Sequence, residues 1–264
     1  MKATLFWLLA FIITAGTAVV QRMTGPSYPE SGSVLFGDSI VEYRFDRSHA
    51  GESDAPVVLE PPPDTRATLL WKRYKTNDAW TETPMQSPEE GAGAFLPNQP
   101  PAGKLQYQVR LENDETSMLI PPEPVVIRYR GEVPLFVLVP HIIAMFGAMF
   151  LSTRTGLEYF NPAPSYKILV LWTFGFLIVG GFILGPWMQL YSFGVPWTGW
   201  PVGSDLTDNK TVVALLGWIA AAVALRKSSS PGRWVLAASV ITLIVYLIPH
   251  SLLGSELDYS APKP

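Results

Sequence analysis

The sequence predicts a membrane protein: an all-β sandwich followed by a bundle of transmembrane helices, with five spans when an N-terminal anchor is counted. Three observations predict it. Of the 264 residues, 48% are hydrophobic and only 16% are charged, against about 25% charged in ordinary soluble domains. The charge is unevenly placed: residues 21–130 hold 11 of the 19 Lys and Arg, 16 of the 22 Asp and Glu, and 14 of the 25 prolines. Outside that stretch the chain is made of long apolar runs joined by short polar connections. Such hydrophobicity excludes disorder, and a net charge of −3 offers nothing to nucleic acid. The absence of Cys excludes disulfides, thiolate metal sites, Cys nucleophiles and c-type haem attachment.

The first apolar run, Ala3–Val20, follows a single Lys2 and has 18 residues without a charge. Small residues at Gly16 and Ala18 would suit signal cleavage. The run exceeds the roughly 7–15 residues of a signal core and is long enough to cross a bilayer. Residues 1–21 are therefore read as a membrane anchor or signal segment, with length favouring the anchor.

Residues 22–130 form the polar domain. Ser39–Phe45 alternates in polarity, and Thr68–Tyr74, Ala79–Met85, Gly93–Leu96, Lys104–Leu111, Ser117–Ile120 and Val125–Tyr129 follow as short strands. Clusters of Pro, Gly, Asn and Asp separate them, which predicts a β-sandwich. The segments Leu69–Tyr74, Asn77–Trp80 and Pro84-Met85 resemble the strand–turn–strand of bacterial fibronectin type III/immunoglobulin-like domains. Leu96-Pro97, Pro101-Ala102-Gly103 and Leu105–Val109 are similar to the corner before their central-tyrosine strand. The resemblance implies an immunoglobulin-like sandwich with a hydrogen-bonded corner tyrosine, and implies no activity.

Residues 131–254 are read as a four-helix bundle, from the runs Val133–Leu151, Ile168–Met188, Thr211–Leu225 and Trp234–Leu253, with 255–264 an exposed tail. Arg154 and Lys167 lie in the second connection, and Arg226, Lys227 and Arg233 in the fourth. The connection Gln189–Asn209 has no cation. Cations mark cytoplasmic loops, so the N-terminus faces the cytoplasm, and the β domain and C-terminus face outward. Gly175, Gly180, Gly181 and Gly185 suit close helix packing. The order anchor, sandwich, bundle, with Gln21–Pro29 and Asp205–Thr211, resembles uncharacterised bacterial inner-membrane proteins. That resemblance implies a location only.

His141 and His250 are the exceptional residues, because ionisable groups within spans are costly and often functional. Each follows a proline, Pro140 or Pro249, which leaves the carbonyl four residues earlier, Phe136 or Val245, without its helical donor. Both fall in the outer half of the bundle, with Met145 one turn beyond His141 and with Asp205, Asp208 and Glu256 at the same side. Two facing imidazoles suit the axial positions of haem b, His with Met suits copper, and His with carboxylates suits zinc or a proton relay. A plain reading also stands, in which each ring makes one hydrogen bond to a freed carbonyl. Asp208 is read as the cap of the third bundle helix. The sequence has no phosphate loop, no HExxH and no GxSxG. The expected function is non-enzymatic: the exported domain meets membrane or periplasmic proteins, as a subunit or assembly factor of an envelope complex. The alternative is electron transfer through haem b or a transition metal at His141 and His250.

Overall fold

The computed structural model describes residues 2–86, 92–203, 206–249 and 257–259. They fall into two compact units. One holds residues 27–132 together with 257–259, and the other holds the N-terminal helix and residues 133–249.

The first unit is all β. Its strands are β1 (Glu30–Phe36), β2 (Ser39–Phe45), β3 (Ser48–Ala50), β4 (Ala55–Leu59), β5 (Arg66–Arg73), β6 (Thr81–Pro84), β7 (Ala92–Leu96), β8 (Lys104–Glu112) and β9 (Ser117–Arg130). They make a five-stranded sheet in the order β3-β9-β8-β5-β6 and two antiparallel pairs, the hairpin β1-β2 and the long-range pair β4-β7. Alternate residues of all three sheets point into one apolar core, among them Phe36, Val41, Val57, Leu69, Leu96, Leu105, Val109 and Ile127. The strict in/out alternation of β4, buried at Ala55, Val57 and Leu59, is the period-2 signature of a sheet with one covered face.

Two features of the core were readable only in part. Tyr107 is buried and its hydroxyl donates to the Asp46 carbonyl at 2.8 Å. Ser117–Ile120 and Val125–Tyr129 belong to a single strand, not two. The intervening prolines cannot donate to a ladder. Buried Gln108 donates instead, at 2.9 Å to the Pro121 carbonyl and 3.0 Å to the Pro122 carbonyl, so the strand passes through the interruption. In the tail, Leu257 and Tyr259 are half-buried against the β unit, while Asp258 is exposed. Leu257 N–H donates to the Ala102 carbonyl, and the Tyr259 hydroxyl accepts from Lys104 N–H at 2.9 Å.

The second unit is helical: α1 (Lys2–Thr24), α2 (Leu135–Leu157), α3 (Tyr166–Leu177), α4 (Gly185–Phe193), α5 (Leu206–Lys227) and α6 (Pro231–Leu247). A π-helical turn, Ile178–Leu184, joins α3 to α4 as one passage. Four helical passages are long and apolar enough to cross a membrane: Ala3–Thr24, Leu135–Phe160, Tyr166–Phe193 and Asp208–Lys227. The third bundle run is not short, because α5 begins at Leu206 and spans about 33 Å at 1.5 Å per residue. The described part of the last is the shorter α6, 17 residues. It ends at Leu247, with Ile248 extended as the residue before Pro249 favours. Lys210 Nζ donates to the carbonyls of Ile248 and Pro249.

Packing in this unit depends on small residues. A Cβ on Gly147 would lie 2.5 Å from the Phe176 ring, and one on Gly156 would collide with Ser239 Oγ. Gly181 is pressed against Thr211, whereas Gly185 meets only the Gly180 carbonyl of its own passage. Of these two glycines, only Gly181 packs against other helices.

Tyr107→Phe removes one hydrogen bond to Asp46 and is expected to cost about 1 kcal/mol. The unfolding transition of the β unit, followed by near-ultraviolet dichroism of the full chain, should fall by about 4–8 °C. In the same unit, the Arg73 guanidinium donates to Asp78 at 2.6 and 2.9 Å and holds its carboxyl down at about 2. A lowered folded-state value contributes stability that is present above the ordinary value of 3.8 and is lost as pH falls through about 2. Denaturant midpoints measured between those two pH values should fall less steeply for Asp78→Asn than for the wild type.

Candidate functional site

The site grows from two breaks in helical regularity that face each other. On α2, Pro140 lacks the N–H that would bond the Phe136 carbonyl. On the opposite passage, Pro186 cannot donate to the Phe182 carbonyl and its ring crowds it. The chain widens there into the π turn, in which Gly185 N–H reaches back to the Gly180 carbonyl. Gly180 has no side chain to screen that oxygen. His141 Nδ1 lies 3.0 Å from it. A carbonyl only accepts, so Nδ1 carries the proton and donates.

Met145, one turn along α2, converges on the same glycine. A Cβ on Gly180 would lie 2.7 Å from Met145 Sδ. Tyr246 of α6 closes the third side: its hydroxyl donates to the Met145 carbonyl at 2.8 Å and lies 3.8 Å from Met145 Sδ. These groups border a cavity of about 140 Å³, lined also by Thr17, Ala18 and Gln21 of α1 and by Ile142, Phe146 and Met149 of α2. Ligand pockets for drug-sized molecules run to about 300–1,000 Å³, so the cavity as packed has no room for a porphyrin.

The structure thus brings His141 and Met145 together. His250, Asp205 and Glu256 lie outside the described residues. Asp208 does not cap its own helix: it sits in the first turn of α5 and accepts from the preceding loop and from α4. Its donors are Thr198 N–H at 2.8 Å, Gly199 N–H at 3.2 Å and Gln189 Nε2 at 3.0 Å. Backbone amides of a neighbouring loop outcompete the helix's own because the chain folds back over the N-terminus of α5. Among the described residues, no group of three or more His, Cys, Asp or Glu side chains could hold a metal ion.

Sequence reasoning missed a second polar cluster. Arg154 is not a loop cation: α2 continues past it, and it pairs with Glu158 one turn later. Both side chains are buried, 6% and 2% exposed. Glu158 also accepts from Asn161 Nδ2 at 2.7 Å and Ser165 N–H at 2.9 Å. The guanidinium lies over the rings of Phe6 and Trp7, 5.5 and 5.1 Å from their centroids. The i,i+4 spacing of opposite charges was the available signal. Arg154→Leu leaves the Glu158 charge without its partner and is expected to destabilise the helical unit by about 3–5 kcal/mol. The double change Arg154→Leu/Glu158→Leu should recover most of that loss, as read from thermal aggregation in detergent.

In comparisons with known proteins, the chain matches no family model, no curated protein and no solved structure.

Proposed function

We propose that this chain is a non-enzymatic protein of the bacterial inner membrane. Its β unit presents a periplasmic interaction surface to another subunit of an envelope complex. One observation carries the reading. The outward faces of β1-β2 and β4-β7 display Ile40, Leu35, Phe95 and Val58, which are 73%, 64%, 62% and 56% exposed. Leu35 and Ile40 are cross-strand partners, and Ile40 and Val58 border one groove with Glu42, Arg44 and Glu60. A contiguous apolar surface rimmed by charge is what a protein partner covers.

The five-stranded sheet, the two smaller sheets sharing its core and the hydrogen-bonded Tyr107 support an immunoglobulin-like sandwich. The apolar passages support membrane insertion. Arg226, Lys227 and Arg233 flank the α5–α6 connection and support its cytoplasmic placement, with the N-terminus inside and the β unit outside. Arg154, being internal, no longer counts toward that orientation. Electron transfer through haem b gains nothing from a cavity of about 140 Å³.

The test is affinity purification of the full chain from native membranes in a mild detergent. A specific partner protein should co-purify in stoichiometric amount. Ile40→Asp combined with Phe95→Asp should reduce its recovery about tenfold or more, the loss of a central apolar anchor, while leaving the chain in the membrane. Recovery of the monomer alone, or a partner retained undiminished by the double variant, would overturn the reading.

A further inference from the structure

The cavity beside His141 has a chemistry of its own. Because Nδ1 donates to Gly180, a neutral imidazole presents its lone pair at Nε2. Among the described residues Nε2 has no hydrogen-bond partner, and the ring borders the cavity. The nearby hydroxyl of Tyr246 commits its proton to the Met145 carbonyl. The imidazole nitrogen is the strongest base in a wall that also carries the Thr17 hydroxyl and the Gln21 amide and is otherwise built of thioether, methyl and aromatic groups. A ligand matched to it carries one O–H on an apolar body.

Size narrows the body. An engineered protein cavity of about 150 Å³ holds one benzene molecule, and this one measures about 140 Å³. Met145 and Met149 supply sulfur atoms of the kind that pack well against ring edges, and Phe146 supplies a ring. A single metal ion would leave most of the space empty. We propose that the cavity binds one hydroxylated six-membered aromatic ring, a phenol, whose O–H is donated to His141 Nε2. Met145, Met149 and Phe146 border the ring. Glycine at 180 is part of the site, because a Cβ there would lie 2.7 Å from Met145 Sδ and 3.1 Å from the Ala144 methyl and would push Met145 from its place at the cavity.

The test uses the full chain in lipid nanodiscs, titrated by calorimetry with phenol and, separately, with toluene, which has a similar size and no hydroxyl. Phenol should bind with one-to-one stoichiometry and about tenfold more tightly than toluene, the worth of one hydrogen bond to a buried acceptor. His141→Phe should abolish that preference while still admitting toluene. Ala18→Leu, which keeps His141 and fills the space, should abolish binding of both, and it stands as the test if His141→Phe does not fold. Displacement of phenol by an alkyl-tailed hydroquinone with no other ring substituents would identify a membrane quinol as the source of the ring. Failure to displace would identify a free phenol. Equal affinity for phenol and toluene, a preference that survives in His141→Phe, or no binding of either would overturn the proposal. So would Cu(I) uptake that is lost in both His141→Phe and Met145→Leu, without phenol binding.

Discussion

Two hydroxyls on α6 donate to two main-chain carbonyls on α2, and the rest of the helical unit depends on that seam. Ser239 Oγ bonds the Ser152 carbonyl at 2.9 Å, and the Tyr246 hydroxyl bonds the Met145 carbonyl at 2.8 Å. Donors and acceptors are each seven residues apart, in opposite chain directions, so the two helices are fixed antiparallel and in register. Two heptad-spaced bonds leave no freedom to slide. The seam demands a glycine at 156, where any side chain would meet Ser239. It also places Thr242, midway between the two donors, where its hydroxyl accepts from buried Trp218 at 2.9 Å and so extends the lock to α5.

With α2 held, its two ends take on different chemistry. One end buries a full ion pair. Taking two charges out of water costs several kcal/mol each, and mutual attraction repays this only when the remaining donors and acceptors are also used. Glu158 comes close to that condition, with Asn161, the Ser165 amide and Arg154 around it. Arg154 meets it less fully, since its Nε has no hydrogen-bond partner among the described residues. Two aromatic rings from α1 cover the guanidinium face instead. A planar, weakly hydrated cation tolerates that environment better than an ammonium would. The pair therefore ties α1 to α2 as well as α2 to the turn that follows it.

Periodicity made the two-part plan legible. Alternation marked β2, β5 and β8 to within two residues, and apolar runs marked every helix, because burial of one face imposes those periods. What escaped were features decided by partners distant in sequence. β1, β3 and β4 were not marked, since Glu30–Phe36 is exposed along most of its length and β3 has only three residues. The unity of β9 was hidden because its prolines read as a break, and the remedy, Gln108, lies on another strand. Arg154 looked like a loop cation because hydropathy averages a window and takes no account of a partner one turn away. His141 was flagged for the right physical reason, the cost of an ionisable group in an apolar helix, but its partner was not visible.

That partner shows how local irregularity becomes a site. Four prolines of the helical unit have four different outcomes. Pro231 opens α6, where no helical donor is needed, and Pro249 follows its end. Pro140 sits inside α2, and Pro186 converts the preceding residues into a π turn. Of the four, only the last two lie in mid-passage, and the residue after Pro140 meets the π turn that precedes Pro186. A regular helix offers its neighbours side chains, because its carbonyls are engaged along the axis. In the π turn the Gly180 carbonyl accepts from Gly185 N–H and, with no side chain at Gly180 to cover it, also accepts from the histidine after Pro140. Neither break would create a polar site alone: without the π turn His141 would lack an acceptor, and without a small residue at 180 Met145 could not pack beside the ring. The orientation of the imidazole, and with it the chemistry available at Nε2, therefore follows from two prolines 46 positions apart in the sequence.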